Sequence, residues 1–370
     1  MNEELLFSLL RLGLGTNNDV QKENISDLLV ATKQSWVQLK EVSDFQGVSA
    51  IVLDGIQVVM NELGAGCFNR SLSQNFWKVF ILQWIGEVHK CYESGNLLQL
   101  TVVDNIQRLW AKAGIRMMLM KGLAMGLFYP DSRHRAPGDI DCYLFNDYSK
   151  GNEEAKAWAD IVNEDWYKHS VISYQGQTIE NHQFFVHTRE GKISKQLNQT
   201  LCETLKDSQF DTLAGTGVLV PPPMFNATFL TYHALSHFLE EGLKLKQLVD
   251  WAMFLKRDAD KVDWQEFYSI CEKYHLRRFA DVATDFAVHY LGVKLNNPQI
   301  CAESPYTAKV IHSTLNDKDY VFSSGEGEWA NRWHIVRNLF KYRWKYKKIY
   351  QHSIIKQLWW YTSGYLLKKE

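Results

Sequence analysis

Residues 115–120, Ile-Arg-Met-Met-Leu-Met, run directly into Lys121-Gly122, and Asp139-Ile140-Asp141 follows a short stretch later. This order leaves few local folds open. An apolar run of that length ending at glycine reads as a buried strand and a turn, and Leu123-Ala-Met-Gly-Leu-Phe-Tyr129 reads as the helix that follows. A helix opening after glycine offers free N–H groups and the positive end of its dipole. In the next strand, Asp139 to Phe145, alternation puts Asp139 and Asp141 on one face and Ile140 on the other. Two carboxylates that close repel each other unless a cation lies between them. An Asp-x-Asp alone is common on solvated strand ends, and a Lys-Gly pair is often an ordinary turn. The weight rests on their combination in strand, helix, strand order.

A hairpin lies further along. Val171-Ile-Ser-Tyr174, a Gln175-Gly176 turn and Gln177-Thr-Ile-Glu180-Asn-His182 give two strands around a two-residue turn. Period two places Glu180 and His182 on one face, which could be the face that carries Asp139 and Asp141.

This text resembles the nucleotidyltransferase superfamily that includes DNA polymerase β, whose signature is a glycine turn opening a helix and then an Asp-x-Asp strand. It is more closely similar to an uncharacterised bacterial nucleotidyltransferase family, whose motif of Lys-Gly, a helix ending Tyr-Pro and Arg-x-x-x-Asp-Ile-Asp stands here as Lys121-Gly122, Tyr129-Pro130 and Arg135-Ala-Pro-Gly-Asp139-Ile-Asp141. Leu123 departs from the wider pattern, which often has Ser or a second Gly there, and Gln183-Phe184-Phe185 stands where the family often has Trp-Arg. The resemblance implies catalytic and metal-binding roles for Asp139, Asp141 and Glu180, two Mg²⁺ ions with Mn²⁺ as the alternative, and a nucleoside triphosphate such as ATP as donor. Lys121, Gly122 and Arg135 would bind the nucleotide, although a surface salt bridge is the competing reading for Lys121 and Arg135. His182, His237 and Asp250 would face the acceptor, an unidentified small molecule or protein, with His182 alternatively orienting Glu180. The chemistry suits hard oxygen ligands: magnesium clamps the entering and leaving oxygens of an in-line displacement at phosphorus. The competing function is a catalytically silent nucleotide-binding or scaffold protein on the same fold.

The expected class is α+β: a mostly helical chain with a small mixed sheet flanked by helical regions. Residues 1–100 read as an N-terminal helical region, with apolar spacing in Leu5 to Leu12, Ile25 to Leu39 and Phe76 to Val88. Residues 101–220 hold the strands and the candidate site, and Pro221-Pro222-Pro223 marks the boundary, since three prolines exclude a regular helix. Residues 221–316 return to helical periodicity, and 317–370 form a basic aromatic tail. His233 and His237 lie one turn apart and with Asp250 would make a metal edge, against the plainer reading of histidines satisfied in a helix interface.

The 370 residues suffice for more than one core. The six cysteines have no zinc or redox spacing and read as reduced thiols, and an acidic N-terminus with no long apolar run suggests a cytoplasmic protein without a membrane span. The formal net charge is -1, but Trp329 to Glu370 carries ten Lys or Arg and one acid, leaving an acidic body. That body argues against a nucleic-acid acceptor. In the tail, Lys341-Tyr-Arg-Trp-Lys-Tyr-Lys-Lys348 interleaves cations with aromatics. Ile335, Leu339, Trp344 and Tyr350, or Ile354, Leu358 and Trp359, make apolar stripes that favour docking on the body, with peripheral contact to an anionic membrane as the alternative.

Overall fold

In the computed structural model the described residues are 3–317, apart from 24, 26–28, 65, 71, 189–190, 207 and 241, together with 337 and 340–351. The N-terminal part holds α1 (Glu3–Gly13), α2 (Lys33–Gln46), α3 (Ser49–Leu63), α4 (Gln74–Val88) and α5 (Ser94–Lys112). Thr32 caps α2 by accepting from the Ser35 N–H at 3.2 Å, and Gly47 ends it in the left-handed region. A Cβ on Gly13 would stand 2.0 Å from the Ile51 carbonyl oxygen, and one on Gly55 would stand 2.1 Å from that of Leu9. Helices α1 and α3 therefore meet backbone to backbone, a contact only glycine allows. The wider turn His89–Glu93 joins α4 to α5.

The middle of the chain holds β1 (Met118–Leu119), α6 (Leu123–Gly126), β2 (Ile140–Tyr143), α7 (Tyr148–Ala155), β3 (Ile161–Asn163), β4 (His169–Tyr174) and β5 (Gln177–His182). The strands form one mixed sheet in the order β1-β2-β5-β4-β3, with β2 and β5 parallel and the other neighbours antiparallel. Gln175 and Gly176 both have positive φ, 50° and 73°, the turn that matches the twist of a tight hairpin. One face of the sheet is apolar: Ile140, Cys142, Ile172 and Ile179 pack with Val102, Val103, Ile106 and Trp110 of α5. The alternate residues, Asp141, Glu180 and His182, point the other way.

The C-terminal part holds α8 (Lys192–Glu203), α9 (Pro223–Glu240), α10 (Leu245–Asp258), α11 (Trp264–Lys273), α12 (Arg277–Asp285) and α13 (Thr307–Asn316). Helix α9 begins on the last of the three prolines, where a missing N–H costs nothing. One apolar core runs from Leu6, Leu9 and Trp36 through Phe225, Trp251, Phe254 and Phe279, joining the two helical parts. The described part of the tail lies on α9. There Lys345 Nζ donates to the Phe238 carbonyl, Tyr346 Oη to that of Leu239, and the Trp344 ring stands edge-on to Phe238 at 5.7 Å. Ile335, Leu339, Ile354, Leu358 and Trp359 lie outside the described residues. Among the described residues no helix is long and apolar enough to cross a membrane.

The fold is α+β, and three local expectations are shortened. The strand expected at 115–120 keeps ladder pairing at Met118–Leu119, and the strand expected at 139–145 keeps it at Ile140–Tyr143 because Phe145 turns out with φ 59°. The helix expected over 123–129 is the single turn Leu123–Gly126. The chain folds back over it so closely that a Cβ on Gly126 would stand 2.8 Å from the Ser132 carbonyl oxygen.

The returning segment, residues 130–139, is held by side chains rather than by regular structure. Buried Asn96 donates to the carbonyls of Arg133 and Arg135 at 2.8 and 2.9 Å, and Gln99, one turn on, donates to that of Gly138. Arg135 is buried and makes a two-pronged pair with Asp250 of α10, Nε to Oδ1 at 2.9 Å and Nη2 to Oδ2 at 2.8 Å. Tyr129 Oη donates to the same carboxylate at 2.7 Å. His134 bonds Asp54 of α3 at 2.7 Å and Glu93 at 3.1 Å. Burial works against charge on His134, but its bonds to Asp54 and then Glu93 prevail and raise it to about 9. Asp54 is itself raised because its burial outweighs the imidazole, so the attraction is read on the histidine.

Two stability measurements follow from these contacts. Asp250→Ala leaves the Arg135 guanidinium buried without its carboxylate, and urea denaturation should show a loss of about 3–5 kcal/mol. The double variant with Arg135→Ala should lose less than the sum of the two singles. A loss under about 1 kcal/mol would mean the pair is solvated in solution. For His134, a folded value raised above the unfolded one stabilises fully below the unfolded value of about 6.5. That stabilisation drains away as pH rises through about 9. The melting-temperature advantage of the wild type over His134→Gln should shrink across that window, and an advantage constant with pH would refute the charged pair.

Candidate functional site

The parallel pairing of β2 and β5 sets Asp141 opposite Glu180, on the face turned away from the α5 core. Asp139 precedes β2 by one residue and is exposed. On the other side of β5, the antiparallel hairpin sets His169 opposite His182. Asp141, Glu180, His182 and His169 thus line one sheet face across three strands. His182 Nε2 lies 3.0 Å from Asp141 Oδ1 and 3.2 Å from Glu180 Oε2, and His169 Nε2 lies 3.5 Å from Glu180 Oε1.

Lys121 enters from the end of β1. Gly122 adopts φ 61° and ψ −122°, which a side chain would resist, and its carbonyl accepts from the N–H groups of Met125 and Gly126 at 3.1 Å. The turn delivers Lys121 Nζ to 2.9 Å from Asp141 Oδ1. With α6 only one turn long, the expected helix dipole contributes little, and the cation is the stronger electropositive element.

Charge is unevenly shared over this face. Burial alone would raise Asp141, but Lys121 and then His182 hold its carboxyl well below the ordinary range. Asp139, although exposed to solvent on one side, is raised first by partial desolvation against the sheet and then by Glu180 and Asp141. Repulsion among three carboxylates is what a divalent cation relieves. Their hard oxygens are of the class that Mg²⁺ prefers, although the three carboxylates as placed do not converge on one point.

Of the other expected site residues, His237 lies on α9 with its ring edge-on to His233 at 4.5 Å. His233 is on the site side: burial and then Lys121 lower it well below the usual imidazole range, with Asp141 and Lys168 among its charged neighbours. Arg135 and Asp250 do not join the carboxylate face as expected, because each takes up the other's charge in the buried pair beneath it. With Asp250 engaged by Arg135 and Tyr129, the metal edge expected from His233, His237 and Asp250 does not assemble. Among the described residues the groups able to gather round an ion are His169, Glu180 and His182, and separately Glu93, Asp131 and His134.

Three further residues belong to the site and were missed. Lys168 precedes β4 and is lowered by burial and then by Lys121, with Asp141 and Glu180 pulling the other way. Lys246, in the first turn of α10, is lowered by burial and then by Arg135, and its charge is felt by Asp139. His169 could have been found by counting back from the Gln175-Gly176 turn, since equal steps along both strands lead to the pair with His182. The lysines carry no such local signal, because helix packing brings them in.

The site therefore joins three carboxylates, two imidazoles and three lysines on one sheet face, with α9 and α10 alongside. Against known proteins, the model of the family described as uncharacterised nucleotidyltransferase matches residues 80–292. No curated protein and no solved structure matches the chain. The matched span is more than half of the chain and contains every carboxylate, imidazole and lysine of the site, so the protein belongs to this uncharacterised nucleotidyltransferase family.

Proposed function

We propose that the protein is a metal-dependent nucleotidyltransferase that moves a nucleoside monophosphate from a nucleoside triphosphate to a small-molecule or protein acceptor. The observation that carries this reading is the register of Asp141 against Glu180, with Asp139 and Lys121 beside them. In the reaction an acceptor oxygen attacks the α-phosphorus, the bond from that phosphorus to the bridging oxygen breaks, and pyrophosphate leaves. Bound Mg²⁺, held by Asp139, Asp141 and Glu180, would supply charge stabilisation for the entering and leaving oxygens.

The chain's own groups have distinct tasks. Lys121, Lys168 and Lys246 set positive charge around the carboxylates, where the polyphosphate tail would lie. Gly122 keeps side-chain bulk away from the turn that carries Lys121. Glu180, with 22% of its side chain exposed, can take the acceptor proton, and His182 fixes that carboxylate through its contact at 3.2 Å. His233 and His237 border the same space from α9 and are the residues we assign to the acceptor side.

Calorimetry with non-hydrolysable analogues of the four triphosphates, with and without Mg²⁺, tests the reading. The intact protein should bind at least one of them in a metal-dependent way. The Asp139→Ala, Asp141→Ala double variant should lose roughly 10- to 100-fold or more in affinity, since even outer-sphere partners of a metal cost that much. If the folded intact protein binds none of the four, the silent scaffold is the better account.

A further inference from the structure

The carboxylate face has two poles of different chemistry. Around Asp139 the donors are oxygens. Around Glu180 they include two imidazole nitrogens, from His169 and His182, and one donor atom from each of these three residues falls within 4.8 Å of the others. Metal bonds of roughly 2.0–2.2 Å place neighbouring ligand atoms roughly 3.0–3.5 Å apart. The contacts of Glu180 to His182 and His169, 3.2 Å at Oε2 and 3.5 Å at Oε1, are of that length, one to each oxygen of the carboxylate.

Three observations indicate that this geometry is built to hold an ion. First, the strand registers fix it: His169 is locked opposite His182 by the hairpin, and Asp141 is locked opposite Glu180 by the parallel pair. Second, His182 Nδ1 lies 3.3 Å from the Phe184 carbonyl oxygen, which can only accept. That contact orients the ring, as an outer partner does for a ligating histidine, and aims Nε2 at two carboxylate oxygens. Third, His169 turns Nε2 toward Glu180 while its Nδ1 is buried without a hydrogen-bond partner among the described residues. That leaves Nε2 as the nitrogen that can bind.

We propose that His169, Glu180 and His182 bind a first-row transition dication of the zinc and cobalt class, distinct in kind from the magnesium expected at the Asp139 side. Imidazole nitrogen favours such ions, whereas magnesium favours oxygen alone. The inference shares Glu180 with the proposed transferase site but requires neither nucleotide nor turnover. With side-chain exposures of 18% for His169 and 22% for Glu180, the ion can enter from solvent and keep an open coordination position.

The test uses the metal-stripped full chain without nucleotide. Co²⁺ titration followed by its visible absorption, and Zn²⁺ by equilibrium dialysis, should each show one bound equivalent that millimolar Mg²⁺ does not displace. His169→Ala and His182→Ala should each weaken binding at least tenfold, while Asp139→Ala should leave it within threefold. In the unaltered protein, Co²⁺ should shift or broaden the ring-proton resonances of His169 and His182, a readout that needs no variant to fold. Absence of a bound equivalent, displacement by Mg²⁺, or binding indifferent to both histidines would overturn the site. Because triphosphate binding in Mg²⁺ is measured separately, its failure alongside intact Co²⁺ binding would refute the transferase reading and leave this one standing.

Discussion

Like charges held together on one sheet face are the constraint around which the molecule is arranged. A parallel ladder cannot set Asp141 beside Glu180 without bringing two negative groups within reach of each other, and Asp139 adds a third. Taking such groups out of water costs several kcal/mol each unless they are paired. The chain answers with cations from separate segments: Lys121 on the turn after β1, Lys168 before β4 and Lys246 at the start of α10. The compensation is unequal. Asp141 has both Lys121 and His182 against one oxygen, whereas Asp139 stands at the rim and is raised by partial desolvation and then by its neighbours. The charge left over lies at the rim, where an incoming cation and a polyphosphate would complete it.

Holding that charge in place demands a stiff support, and the support is polar as well as apolar. The apolar face of the sheet packs on α5, as alternation requires, and the same helix turns Asn96 and Gln99 toward the segment that leads into Asp139. Three backbone carbonyls that a loop would otherwise leave to water are thereby satisfied. The position of Asp139 thus depends on one face of α5, and a change at Asn96 would reach the site without touching it.

Much of this was legible in the sequence where the information is local. The Gln175-Gly176 turn, the alternation that separates Glu180 and His182 from Ile179 and Asn181, and the strand-turn-strand order around Lys121 and Asp141 all depend on near neighbours in the chain. What misled was also local. Leu123 to Tyr129 has helical composition, but the close return at Ser132 stops the helix after one turn. Arg135 stands in a motif that suggested phosphate, yet its partner Asp250 lies over a hundred residues away in the chain, and only packing shows that the guanidinium is taken. Lys168 and Lys246 were invisible for the same reason: their meaning comes from which elements lie against them.

The Arg135–Asp250 pair shows how the support and the site are one construction. Asp250 and Lys246 are one turn apart on α10 and therefore share a face. The guanidinium that binds Asp250 is carried by the segment leading into Asp139, so one buried ion pair sets the distance between Lys246 and Asp139. Gly47 tightens the same corner: a Cβ there would stand 2.9 Å from Lys246 Cδ, and Gln46 accepts the Leu245 N–H, tying the start of α10 to the end of α2. These contacts fix the backbone from which Lys246 extends. Arg135 was expected to meet phosphate directly. Its geometry gives it an indirect part, as the residue that fixes where the cation of α10 can stand.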